Sequence, residues 1–299
     1  MITPPYLKKG DKIALVSTAR KISPAEVEMA IRVFQSWELE VVPGDHLYSA
    51  FHQFAGSDDQ RQADFQQMLD DGSIRAIICS RGGYGTVRII DQLDFTRFVQ
   101  NPKWIVGFSD VTVLHSHIHR HFGVETLHAI MPVNFKDNCD RNPSLNSLKK
   151  ALFGKELVYR FPAEHYYRKG SCKGHLVGGN LSILYSLTNT SSDIETNGKI
   201  LFLEDLDEYL YHIDRMMMNL RRSGKLEGLA GLIVGSMTKM HDNQVPYEKT
   251  ANEIIAGAVE DYPYPVCYNF PAGHVDDNRA LILGREVTLE IGEEVKLAF

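Results

Sequence analysis

The stretch Ile74-Arg75-Ala76-Ile77-Ile78-Cys79-Ser80-Arg81-Gly82-Gly83-Tyr84-Gly85 decides the class of this chain. An almost unbroken apolar run ends on a turn with three glycines, and a helix is predicted beyond it, around Val87 to Leu93. A strand that is apolar throughout is covered on both faces, as strands of parallel sheets are. The neighbouring segments repeat the pattern. Lys12 to Ser17, Leu39 to Pro43 and Trp104 to Gly107 read as further strands. Between them, Ser23-Pro24-Ala25-Glu26 supplies an N-cap, a proline at the first helical position and a helix to about Trp37. Ser57 to Asp70 reads as a helix with Phe65, Met68 and Leu69 on one face, and a further helix runs from Ser109 to about His121. Strands alternating with helices predict an α/β fold on a parallel sheet.

The character changes over residues 136–172, where Asn138, Asp140, Asn142-Pro143 and Glu164-His165-Tyr166-Tyr167 suggest a connecting segment. A second α/β block follows. Gly174 to Asn180 leads into an apolar helix, then the strand ending at Glu204, a helix from Ile213 to Arg222 and a strand from Leu229 to Gly235. A helix from Tyr247 to Ala258 and a strand from Pro265 to Asn269 come next, and Ala280–Gly284 with Glu286–Ile291 reads as a terminal hairpin. The expected domains are therefore 1–135 and 173–299, joined by 136–172.

Bulk properties narrow the function. The 299 residues are 43% hydrophobic and 23% charged, typical of a globular protein. A net charge of −6 without a basic stripe argues against a nucleic-acid partner. No signal peptide and no apolar run long enough for a membrane span are evident, and the four cysteines stand singly, so a reduced, cytoplasmic protein is expected.

Three separated positions carry acyl-transfer chemistry. Ser109 follows Trp104-Ile105-Val106-Gly107-Phe108, Glu204 follows Ile200-Leu201-Phe202-Leu203, and His274 follows Tyr268 to Gly273. A serine, a carboxylate and an imidazole in the order Ser, Glu, His are the parts of a hydrolytic triad. Each has a plainer alternative: Ser109 as a helix cap, Glu204 in a solvated loop, His274 as an exposed loop residue. The glycine turn at 82–85 can expose backbone amides to an oxyanion or serve simply as a tight turn, and it lacks both the phosphate-loop and dinucleotide spacings. His115, His117, His119 and His121 form helical i, i+4 pairs, but no carboxylate completes a zinc set, so no metal is expected.

Taken together, these motifs resemble the LD-carboxypeptidases (muramoyltetrapeptide carboxypeptidases), a serine peptidase family that includes the microcin C immunity peptidases. The resemblance covers nearly the whole chain. It runs through Leu7 to Ile13, Ser80 to Gly85, Gly107 to Thr112, Gly178 to Ser182, Leu203-Glu204-Asp205, Ile213 to Met216 and Gly273-His274. It implies an N-terminal parallel-sheet domain like that of class I glutamine amidotransferases, a smaller C-terminal β/α domain, and a homodimer. It implies Ser109 as nucleophile, His274 as general base, Glu204 as the group orienting the imidazole, and the Gly83 and Asp110 amides as oxyanion hole. The implied reaction releases the terminal D-alanine of murein tetrapeptides during cell-wall recycling, with no cofactor. The alternative is an immunity-type peptidase acting on an acylated nucleotide or peptide antibiotic. Arg81, beside the glycine turn, is a candidate clamp for the substrate carboxylate by its location.

Overall fold

The computed structural model describes residues 1–136, 142–163 and 167–299. Asn138, Cys139, Asp140 and Glu164-His165-Tyr166 lie outside the described residues. Two sheets organise the rest. The first has six strands in the order β11-β5-β4-β3-β1-β2. Its parallel members are β1 (Lys12–Val16), β2 (Glu40–Pro43), β3 (Ile74–Cys79), β4 (Trp104–Gly107) and β5 (Thr126–His128). Ile77, Ile78, Ile105 and Val106 are fully buried, as a sheet covered on both faces requires. Helices α1 (Pro24–Ser36) and α2 (Asp58–Asp70) begin at capping boxes. Glu26 accepts from the Ser23 amide at 2.8 Å, and Ser57 Oγ accepts from the Gln60 amide at 3.2 Å.

The helix expected over Val87 to Leu93 is instead two 3₁₀ turns, Thr86–Arg88 and Ile90–Gln92. Contacts from elsewhere break it: the Thr86 amide donates to Asp110 Oδ2 at 2.8 Å, and Arg88 is held by Asp58. After the short α3 (Thr96–Gln100), helix α4 (Thr112–Phe122) follows β4 through a turn at Ser109–Val111.

The second sheet is mixed, with the order β10-β9-β8-β7-β12-β13-β6. Strands β7 (Gly170–Asn180), β8 (Ile200–Leu206), β9 (Gly231–Thr238) and β10 (Val266–Cys267) run parallel. Helices α6 (Leu181–Ser186), α7 (Leu210–Arg222) and α8 (Ala251–Ala258) connect them. Met216 and Met217 of α7 are buried packing residues.

Two expectations change. The connecting stretch holds helix α5 (Pro143–Leu152), capped by Asn142 and burying Leu145, Leu148 and Leu152, and strand β6 (Val158–Pro162) at the edge of the second sheet. The closing hairpin is not Ala280–Gly284 with Glu286–Ile291. Strand β11 (Leu281–Leu283) pairs antiparallel with β5 and completes the first sheet, whereas β12 (Glu286–Ile291) pairs with β7 and with β13 (Glu294–Ala298). The fully apolar Leu281-Ile282-Leu283 is buried at the β5 edge, and the two-residue turn at Gly292-Glu293 closes the hairpin. One hydrophobic core contains residues of both sheets, from Val106 and Leu127 to Phe202 and Ile233. The second sheet is also tied to the helix that follows β4: the Asn180 amide donates to Thr112 Oγ1 of α4 at 3.0 Å.

Candidate active site

Ser109 stands just past the C-terminal end of β4, where ligands of parallel sheets bind. Its φ of +63° puts a non-glycine residue in the left-handed region, a conformation costing about 1 kcal/mol or more. Strain of this kind at a strand-to-helix turn lifts a serine hydroxyl away from the sheet. The neighbouring side chain anchors the turn. Asp110 is buried and accepts from the Thr86 amide, and burial raises its carboxyl above the usual range despite that bond. The glycine turn packs against the serine: a Cβ on Gly82 would lie 2.9 Å from Ser109 Cβ and 3.1 Å from Ser109 Oγ. Among the described residues, the Gly83 and Asp110 amides donate to no acceptor, and Ser109 Oγ has no hydrogen-bond partner.

Glu204 lies inside β8 rather than after it, at a register irregularity between Leu203 and Asp205 against β9. Bulges of this kind re-aim a side chain. Fully buried, the Glu204 carboxylate accepts from His274 Nδ1 at 2.7 Å through Oε2 and from Asn180 Nδ2 at 3.3 Å through Oε1. Burial works against a charge on His274, but the Glu204 carboxylate and its hydrogen bond outweigh it and raise the imidazole above its ordinary 6.5. The ring packs 4.8 Å from that of Phe108, beside the candidate nucleophile. With Nδ1 engaged, Nε2 is the nitrogen left for the cavity that His274 lines.

Ser109 and His274 line one cavity of about 490 Å³, shared with Arg20, Arg81, Gly83, Asn180, Asp205, Asp207 and Glu208. Thus Ser109 from the first sheet and the Glu204–His274 pair from the second are brought to one place. Arg81 also reaches the cavity, but its guanidinium donates to Glu26 at 3.0 Å.

Sequence reasoning assigned no role to Asn180, Asp205 or Arg20. Asn180 Nδ2 bridges Glu204 and Asp205, its Oδ1 caps α6, and the Ser182 amide donates to Asp205 at 2.8 Å. Burial, then the charge of Glu204, pushes the Asp205 carboxyl up to about 7. A polar residue ending the buried half of β7 was the available signal for Asn180. The four histidines of α4 serve packing. His115 Nε2 bonds the Gly107 carbonyl at 2.9 Å, His117 Nδ1 meets Ser192 Oγ at 2.9 Å, and His121 Nε2 meets the Ser191 carbonyl at 2.7 Å. Thr126 Oγ1 bonds His119 Nε2 at 3.0 Å. Burial pushes His115 and His117 down to about 4. Among the described residues, no three metal-ligating side chains are grouped to hold an ion, and no helix is long and apolar enough to cross a membrane.

The chain is similar to known proteins in sequence and in fold. Residues 13–129 match the LD-carboxypeptidase N-terminal domain and residues 173–289 the LD-carboxypeptidase C-terminal domain. The chain is 33% identical to the "Probable murein peptide carboxypeptidase" of Bacillus subtilis, over 97% of this chain and 92% of that protein. It is 30% identical to the "Murein tetrapeptide carboxypeptidase" of Pseudomonas aeruginosa, over 93% of each. In fold it resembles the muramoyltetrapeptide carboxypeptidase of Oxalobacter formigenes, with a TM-score of 0.86, 24% identity and coverage of 96% and 98%. It likewise resembles the microcin C7 self-immunity protein MccF in complex with aspartyl sulfamoyl adenosine, with a TM-score of 0.89, 19% identity and coverage of 100% and 98%. The two domain matches and the near full-length relatives place the chain in the LD-carboxypeptidase family of serine peptidases.

Proposed function

We propose that this protein is a serine LD-carboxypeptidase that removes the terminal D-alanine from murein tetrapeptides. The observation that carries the reading is that His274, bonded to the buried Glu204 at 2.7 Å, lines the same cavity as the strained Ser109 turn. Ser109 Oγ attacks the carbonyl carbon of the amide between an L-centre and the D-residue, and His274 Nε2 takes the hydroxyl proton. The Gly83 and Asp110 amides, unengaged among the described residues, receive the developing oxyanion. The C–N bond then breaks as His274 returns the proton to the D-alanine nitrogen. Water, deprotonated by the same imidazole, releases the acyl group from Ser109. Glu204 holds the imidazole tautomer and its positive charge. The free carboxylate of the substrate is bound by an arginine of the cavity, Arg81 or Arg20.

Murein is favoured over an acidic antibiotic by carboxylates of the same cavity. Asp207 and Glu208, paired with His241 and His212, line the cavity and suit the cationic amine of a diamino acid. An aspartyl group, such as the one in the MccF ligand, would meet like charge there. The family resemblance further leads us to read the protein as a cytoplasmic homodimer that uses no metal or organic cofactor. On this reading residues 1–135 form an amidotransferase-like domain whose sheet β11 completes, and 173–299 form most of a second domain whose sheet extends into the 136–172 stretch through β6.

The test is free D-alanine released from a murein tetrapeptide, measured with EDTA present. Wild type should turn over, while Ser109→Ala and His274→Ala should not. Turnover that EDTA abolishes, or that Ser109→Ala leaves intact, would end this reading.

A further inference from the structure

A carboxypeptidase must recognise a chain end, and the chain end lies close to the scissile bond. The carboxylate of a terminal residue is about one residue, roughly 3.5 Å, beyond the carbonyl under attack. A cation that binds it must therefore stand next to the turn that receives the oxyanion. Arg20 occupies that place. It follows β1, and its backbone amide donates to the Gly82 carbonyl at 3.4 Å. Its stem lies across Gly83 so closely that a Cβ there would fall 2.2 Å from Arg20 Cδ and 2.3 Å from Cγ. Gly83, at φ +114°, thus leaves room for the arginine as well as exposing its amide.

The two arginines of the cavity differ in what already holds them. Arg81 is engaged by Glu26, whereas among the described residues the Arg20 guanidinium has neither an ion-pair partner nor a hydrogen-bond acceptor. An arginine with its stem packed on backbone and its head free in a catalytic cavity is preorganised to take a carboxylate. The cavity also carries the carboxylates of Asp205, Asp207 and Glu208, on β8 and the loop that follows.

Resting on the reading above, we propose that Arg20 binds the free C-terminal carboxylate of the substrate and so restricts cleavage to the last residue of a peptide. Arg20 then takes a bidentate contact made in both the bound complex and the transition state. Its loss should fall on carboxylate substrates alone.

The experiment compares a murein tetrapeptide ending in D-alanine with the same peptide ending in D-alaninamide, using wild type, Arg20→Ala, Arg20→Lys and Arg81→Ala of matched thermal stability. Wild type should prefer the carboxylate in kcat/KM. Arg20→Ala should lower kcat/KM for the carboxylate about ten- to a hundredfold, the range for a hydrogen bond to a charged group, and leave the amide nearly unchanged. Arg20→Lys should keep part of the preference, and Arg81→Ala most of it. An Arg20→Ala protein that keeps the wild-type ratio, or loses both substrates equally, would overturn the assignment while leaving the serine mechanism standing. Absence of D-alanine release by wild type would instead overturn the reaction itself, and this inference with it.

Discussion

In the first sheet the candidate nucleophile is placed by its backbone, whereas in the second sheet the candidate base is placed by hydrogen bonds of its side chain. Ser109 sits at φ +63° with its hydroxyl unpartnered among the described residues, held by the Asp110–Thr86 anchor behind it and by Gly82 against its flank. His274 lies on a loop and owes its orientation to Glu204, which is in turn fixed by a strand irregularity and by Asn180. A serine that must attack gains from a hydroxyl with no competing partner, and a base that must gain and lose a proton needs a fixed counter-charge. The two halves should therefore fail differently when altered.

The largest effect belongs to the reacting groups. Ser109→Ala or His274→Ala should lower kcat for D-alanine release by on the order of 10⁴ to 10⁶. Ser109→Ala should leave thermal stability almost untouched, since no hydrogen bond is lost. Glu204→Gln comes next. A wrong imidazole tautomer costs about 10⁴ in the best-studied serine triad, and a comparable fall in kcat is expected here. The pH profile sharpens the point. Because His274 must be neutral to act and Glu204 raises it above 6.5, wild-type kcat/KM should climb with pH through a midpoint above 6.5. Glu204→Gln removes the charge that favours the imidazolium, so that midpoint should move to lower pH in the residual activity.

Gly82→Ala tests the backbone side of the comparison. The new methyl would push into Ser109 and Met131, so kcat should drop by about 10² and stability by about 1–3 kcal/mol, read by turnover and thermal melting. The smallest catalytic effect is expected for Asn180→Ala. It frees two buried carboxylates and uncaps α6, which should cost about 1–3 kcal/mol in denaturant unfolding, with only about a tenfold loss of kcat.

What the sequence made legible follows local physics. Ile74–Cys79 and Trp104–Gly107 declare buried parallel strands because all their apolar residues must be covered, and Ser23 and Ser57 declare helix starts because capping is local. Features set by distant partners were not legible. Thr86–Gln92 carries a helical pattern, yet bonds to Asp110 and Asp58 draw it into 3₁₀ turns. Leu281–Leu283 completes a sheet whose neighbouring strand lies far back in the chain, and no local signal marks that pairing. The same holds within the site. Ser109, Glu204 and His274 each end or follow an apolar run and stood out for that reason, although the irregularity that aims Glu204 exists only against β9. Arg20 occupies a short loop with no pattern around it, and its relation to Gly83 comes entirely from the fold.

The most direct test is a double-mutant comparison across the two sheets, measuring kcat for D-alanine release by Ser109→Ala, His274→Ala and the protein carrying both changes. If hydroxyl and imidazole work as one unit, the double variant should be no slower than the worse single variant. Losses that multiply would show two groups acting independently and would contradict a shared proton transfer between the halves of this molecule.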